Sequence, residues 1–180
     1  MSYYPDLSSC DYFGFPGLIA VGWLEAGHPF PRARIEPALL ERCAELLVHP
    51  WEPWLFLGCH DCSLCGDPIA PQIEIAGHRV AMGRSNLLVP DGRQTFVAPS
   101  LILHYIVDHG YAPPQPFLDA VWDCPVMRTP AYLRLLLSTS PSLRERGAAS
   151  TVCTKSPAGC CWGDMSTMAR ATPPASSTSE

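Results

Sequence analysis

Cys62 and Cys65, closed by Gly66, and His104 and His109, followed by Gly110, are the residues of this chain whose types and spacing carry chemistry. Two thiolates and two imidazoles are the donor set of a closed tetrahedral zinc site, and both spacings, Cys-x2-Cys and His-x4-His, fall in the range such sites use. The Cys-x-x-Cys turn aims both sulfurs at one point, and a glycine after it accepts the left-handed backbone that follows. The histidines carry a geometric condition. Five residues of helix rotate the second ring by about 140° from the first, so the pair converges only if the helix ends at His109. Gly110, placed as a capping glycine, supplies that end. On this reading Cys62, Cys65, His104 and His109 hold Zn2+ in a structural role.

Each residue also has a plainer reading. His109 suits a helix C-terminus through the macrodipole, and His104 suits a hydrogen-bonded core. A Cys-x-x-Cys pair also serves as a redox couple, but that motif opens a helix, and Gly66-Asp67-Pro68 denies one here. Haem attachment requires histidine where Gly66 stands. His60 and Cys59 are reserve ligands in the same donor-rich stretch. Asp61 and Asp67 read as solvated loop carboxylates, or as groups that orient a ligand imidazole.

Four strong ligands leave no open coordination position. Neither H-x-E before P-C-x-x-C nor H-E-x-x-H occurs. No catalytic residue is therefore assigned, and a non-enzymatic interaction module with an unidentified protein partner is the leading reading. The alternative is a metal-dependent hydrolase with an open zinc site, in which His60 or Asp61 is the base. A thiolate–imidazole set also accepts iron. Glycine-rich phosphate loops and the G-x-S-x-G elbow do not occur.

The elements that must position these residues form an α+β domain with a small antiparallel sheet, a zinc knuckle and about four short helices. The helices are expected at Pro37–Val48, Pro99–His109, Pro116–Asp123 and Pro130–Leu137, each opened by proline at a position where a missing N–H costs nothing. Leu39, Leu40, Cys43, Leu46 and Leu47 make one apolar face of the first, with Cys43 as core filler. Thr129 reads as an N-cap. Strands are expected at Leu18–Val21, Trp54–Leu57, Gln72–Ile75, Arg79–Met82, Leu87–Val89 and Gln94–Val97, with hairpin turns at Ala76-Gly77 and Asp91-Gly92. Thirty-eight residues separate Cys65 from His104, so this sheet must fold back to bring them together. Among the large aromatics, Trp23, Trp51, Trp54, Tyr111 and Trp122 read mostly as core, with a binding surface as the other use. His28 and His78 read as surface histidines.

Composition bounds the rest. A length of 180 residues suits one domain with a real core. A net charge of −5 argues against a nucleic-acid partner, whose footprint is a basic face. The sequence has no apolar run that reaches the roughly 18–20 residues of a bilayer span, so no membrane association is expected. Met-Ser-Tyr-Tyr-Pro-Asp has neither a basic nor an apolar signal region, which makes cytoplasmic the expected location. Nine cysteines in that setting favour reduced thiols or metal over disulfides. Residues 1–137 form the expected zinc-binding domain. Residues 138–180 are rich in Ser, Thr, Pro and Ala and are expected to be disordered, with Cys160 and Cys161 as exposed thiols.

Several blocks together carry a resemblance: Tyr4-Pro5-Asp6-Leu7; Val21-Gly22-Trp23-Leu24 with Gly27-His28; Gly58-x-His60-x-Cys62-x-x-Cys65; His104-Tyr105-Ile106-x-x-His109-Gly110-Tyr111 with Pro113, Pro114 and Phe117; and Cys124-Pro125-x-Met127-Arg128. The chain resembles a family of small uncharacterised bacterial proteins, a domain of unknown function, over roughly residues 4–137. The resemblance implies no activity, and it draws attention to His28 and His60. The departures are a longer stretch between Gly66 and Ser85 and the whole segment after Ser138.

Overall fold

The structure is a computed structural model that describes residues 2–52 and 59–143. The expected strand at Trp54–Leu57 and the segment from residue 144 onward lie outside the described residues. Among the described residues nine elements follow in order: β1 (Leu18–Ala20), α1 (Pro37–Val48), β2 (Gln72–Ile75), β3 (His78–Ala81), β4 (Asn86–Pro90), β5 (Thr95–Pro99), α2 (Ile102–His109), α3 (Gln115–Asp123) and α4 (Pro130–Thr139). The class is α+β, with four helices and two small sheets among the described residues.

One sheet has the order β1-β5-β4, and the other is the β2–β3 hairpin. β4 and β5 pair antiparallel, whereas β1 pairs with β5 in parallel, Ile19 opposite Phe96. Hairpin chemistry reveals antiparallel neighbours only; a parallel pair needs a long crossover, and here that crossover contains α1, the β2–β3 hairpin and β4. Every residue of β4 and β5 is buried. Their apolar runs therefore do not alternate, since both faces are covered. β2 alternates between exposed and half-buried positions, as a one-sided hairpin should. Ala76 and Gly77 form its turn, both at positive φ (49° and 82°), the geometry of a type I′ turn. Asp91-Gly92 lies in the second hairpin, whose Asp91 carboxylate accepts from the N–H groups of Arg93 and Gln94, both at 2.7 Å.

Helix α1 matches its expected span, with Cys43 buried on its inner face. Thr129 caps α4, its hydroxyl accepting from the Tyr132 N–H at 3.3 Å. The expected start of α2 at Pro99 is corrected. Pro99 ends β5 opposite Asn86, and the helix begins at Ile102. The parallel pairing of β5 with β1 stops at Val97, so the missing N–H of Pro99 breaks no ladder. The packed body also runs past residue 137: the Ser140 and Thr95 hydroxyls lie 2.8 Å apart, and Leu143 is fully buried.

The segment Tyr4–Cys10 runs antiparallel along β1, with bridges Tyr4–Trp23 and Ser9–Ile19. Its hydrogen bonds to Ala20 and Leu18 cover an edge that would otherwise invite pairing with another chain. Trp23 is buried beneath it, and its indole N–H donates to the Val97 carbonyl at 3.0 Å. Tyr111, also buried, donates to the Asp6 carboxylate. Two of the five candidate surface aromatics are thus core. Trp51 is half-buried, Trp122 is exposed, and Trp54 lies outside the described residues.

A candidate metal centre

The knuckle is held from three sides. The Ala26 N–H donates to the Ser63 hydroxyl at 3.0 Å, tying the loop to the segment after Trp23. The His60 N–H donates to the Gly83 carbonyl at 2.9 Å, tying it to the end of the β2–β3 hairpin. Gly83 has φ +66°, and a Cβ there would lie 2.1 Å from the His60 carbonyl oxygen, so only glycine lets these two backbones close. Cys62 itself is buried in the hydrophobic core.

Helix α2 supplies the other side. Ile102, Leu103 and Tyr105 are fully buried and fix its rotation, which leaves His104 and His109 facing the knuckle. The helix ends at His109, and Gly110 takes the left-handed conformation (φ 66°, ψ 24°) with its N–H bonded to the Tyr105 carbonyl. The capping condition posed by the His-x4-His spacing is met.

The four donor atoms come together. Cys65 Sγ lies 3.3 Å from His104 Nε2 and 3.3 Å from His109 Nε2. Cys62 Sγ lies 3.4 Å from His109 Nε2, and the two Nε2 atoms are 3.2 Å apart. All four fall within 4.8 Å of one another. Metal–ligand lengths of ~2.3 Å to sulfur and ~2.05 Å to nitrogen give tetrahedral edges of about 3.6 Å for S···N and about 3.3 Å for N···N. The cluster is therefore the size of a coordination sphere and within range to hold a metal ion.

The electrostatics favour the uncharged forms of Cys65 and His109. Burial, and then the adjacent Cys62 sulfur, push the Cys65 thiol up. Burial, and then the neighbouring His104, hold His109 below the usual histidine range, which keeps its imidazole neutral and able to ligate. A divalent cation at the centre favours both thiolates and both neutral imidazoles at once. The apolar thiols differ: burial pushes Cys43 and Cys124 up to about 12, where they stay protonated and inert.

Asp108 completes the set, and the sequence reading missed it. Its carboxylate lies 2.6 Å from His104 Nδ1. A carboxylate only accepts, so Nδ1 carries the proton and Nε2 presents its lone pair to the centre. The available signal was the i, i+4 spacing from His104 on one helix face. Asp61 and Asp67 are exposed and form no hydrogen bond or salt bridge with a histidine among the described residues.

His60 is placed apart from the four donors. It lines a recess with Tyr12, Gly83, Arg84, Ser85 and Asn86, and makes no hydrogen bond to the cluster. Cys59 is exposed, its thiol directed at the Met82 carbonyl at 3.6 Å. A separate recess of about 170 Å³ adjoins the centre itself, lined by Ile69, Ile73, Met82, His104 and Asp108. His28 is exposed and stacks on Tyr3 at 3.7 Å between ring centroids. Among the described residues, no helix is long and apolar enough to cross a membrane.

No curated protein and no solved structure matches the chain. A family does match, over residues 2–122, a span that takes in the knuckle, both histidines, Asp108 and the Asp6–Tyr111 contact. The chain belongs to the family described as a domain of unknown function, DUF7919.

Proposed function

We propose that this protein is a zinc-stabilised, non-enzymatic interaction module, with Zn2+ bound by Cys62, Cys65, His104 and His109. The observation that carries the reading is the four-donor cluster, whose 3.2–3.4 Å nitrogen and sulfur separations suit one tetrahedral ion. Four protein ligands fill the coordination sphere. The nearest carboxylate, Asp108, is committed to His104 and is not poised as a base. Ligand cysteines must stay reduced, which fits a reducing compartment such as the cytoplasm.

Elemental analysis of untagged protein tests this directly. The expected result is about one zinc per chain, lost in both Cys62→Ser and His104→Ala. A well-folded protein without metal would overturn it, and one iron per chain would change the ion but keep the ligands.

The recess beside His104 and Asp108 offers room for a substrate. A second reading is a metal-dependent hydrolase in which one ligand gives way to water and His60 or Asp61, neither of which lines that recess, moves in to act as base. Metal-dependent ester or amide hydrolysis that His60→Ala abolishes in a folded, zinc-loaded protein would establish that reading in place of the first.

A further inference from the structure

Two surfaces of the chain complement each other. The first is a groove of about 620 Å³ walled by the stretch before α1, the start of α1, and α2. Ile35, Leu40, Ile106 and Val107 give it an apolar lining, and Arg32 and Arg34 stand on its rim. Neither guanidinium has an ion-pair partner among the described residues; Arg32 lies over the Phe30 ring at 4.8 Å. The second surface is one face of α3 and the turn after it. Asp119, Trp122 and Asp123 follow at the i, i+3, i+4 spacing of a helix face, Val126 lies in the turn just beyond the helix, and all four are exposed.

The described residues expose four large hydrophobics: Leu7, Val107, Trp122 and Val126. Three of them belong to these two surfaces. Trp122 is 57% exposed, an unusual state for the side chain that most often anchors interfaces. The groove is large enough for an indole ring, whose burial removes roughly 150–250 Å² from water. The groove rim is doubly positive and the tryptophan is flanked by two carboxylates.

We propose that a second copy of this chain occupies the groove, with Trp122 of one copy seated between α1 and α2 of the other and Asp119 and Asp123 facing Arg32 and Arg34. The proposal extends the interaction-module reading by naming the partner. Charge complementarity selects a copy of this chain as occupant, because the same molecule carries both the cationic groove and the anionic aromatic face. Each copy offers both halves, so the contact closes in a two-fold dimer where both form together, and otherwise continues head to tail. The anchor is small, which places the association among the reversible, low-area interfaces.

Sedimentation velocity on the metal-loaded full chain, across a wide concentration range, tests this. The wild type should pass from monomer to dimer or larger species as concentration rises. Trp122→Ala should weaken association by about tenfold or more, as loss of a central aromatic anchor does. Arg32→Glu with Arg34→Glu should weaken it similarly. Adding Asp119→Arg and Asp123→Arg to that double variant should restore association, with metal content and circular dichroism unchanged throughout. A monomer at all concentrations would overturn the proposal, as would association indifferent to Trp122, or a four-fold reversal that fails to restore it. A zinc-loaded monomer would remove this contact and leave the metal centre standing, whereas a metal-free oligomer would do the reverse.

Discussion

The three-stranded sheet and the knuckle are held by different physics. In the sheet, β4 and β5 are buried at every position, with Phe96 and Phe117 packed edge to face at 5.9 Å and Tyr132 donating to the Leu88 carbonyl from a buried site. Burial of this kind is distributed, each large side chain adding a few kcal/mol. In the knuckle, Cys59, Asp61, Ser63, Gly66, Asp67 and Pro68 are all exposed. Such a segment has little apolar surface to offset its ordering entropy, and hydrogen bonds to Ala26 and Gly83 add only a modest net amount. On the proposed reading, a metal would supply stability in the region where burial is missing. α2 joins the two regimes, one side packed into the core and the other carrying both histidines.

Metal removal is the strongest way to break that comparison. Structural zinc contributes on the order of 10 kcal/mol at neutral pH, comparable to the whole stability of a small domain. Chelation is expected to lower the melting temperature and to release amide protection across residues 59–83, while amides of β4, β5 and α1 stay protected. Uniform loss of protection, read by hydrogen exchange, would show that the sheet depends on the metal too. Next in size, Phe96→Ala should cost about 3–5 kcal/mol by denaturant titration and leave zinc stoichiometry unchanged. Coupled loss of metal would mean the two regions fold as one unit.

Asp108→Ala sharpens the comparison within the centre. Losing the partner of the ligand His104 should weaken zinc affinity by about 10–100-fold, measured by chelator competition, with no change in circular dichroism. An unchanged affinity would mean that burial alone orients the His104 ring. The smallest effect belongs to the solvated hairpin. The Glu74–Arg79 pair is 3.7 Å apart and mostly exposed, so Glu74→Ala should change stability by less than about 0.5 kcal/mol.

How much of this was legible beforehand follows from the range of the forces involved. Donor type and spacing picked out Cys62, Cys65, His104 and His109, because chelation needs particular atoms at particular separations and both pairs are local. α1, the β2–β3 hairpin and the Thr129 cap were legible for the same reason: period, turn chemistry and capping act within a few residues. The expected start of α2 failed because proline serves equally as the first residue of a helix and the last of a strand, and the pairing with Asn86 decided between them.

By itself the sequence determined which two Cys and two His residues cluster within range of one metal ion, the helix faces and the turns, all of which depend on neighbours along the chain. Only the tertiary structure decided that Asp108 rather than a knuckle carboxylate holds His104, that β1 joins β5 in parallel, and that Tyr4–Cys10 covers the open edge of β1. It also decided which aromatics are core, enclosing Trp23 and Tyr111 and leaving Trp122 outside. Those outcomes turn on contacts between segments far apart in the chain. Burial and long-range hydrogen bonding select among many locally equivalent partners, and no local pattern encodes that choice.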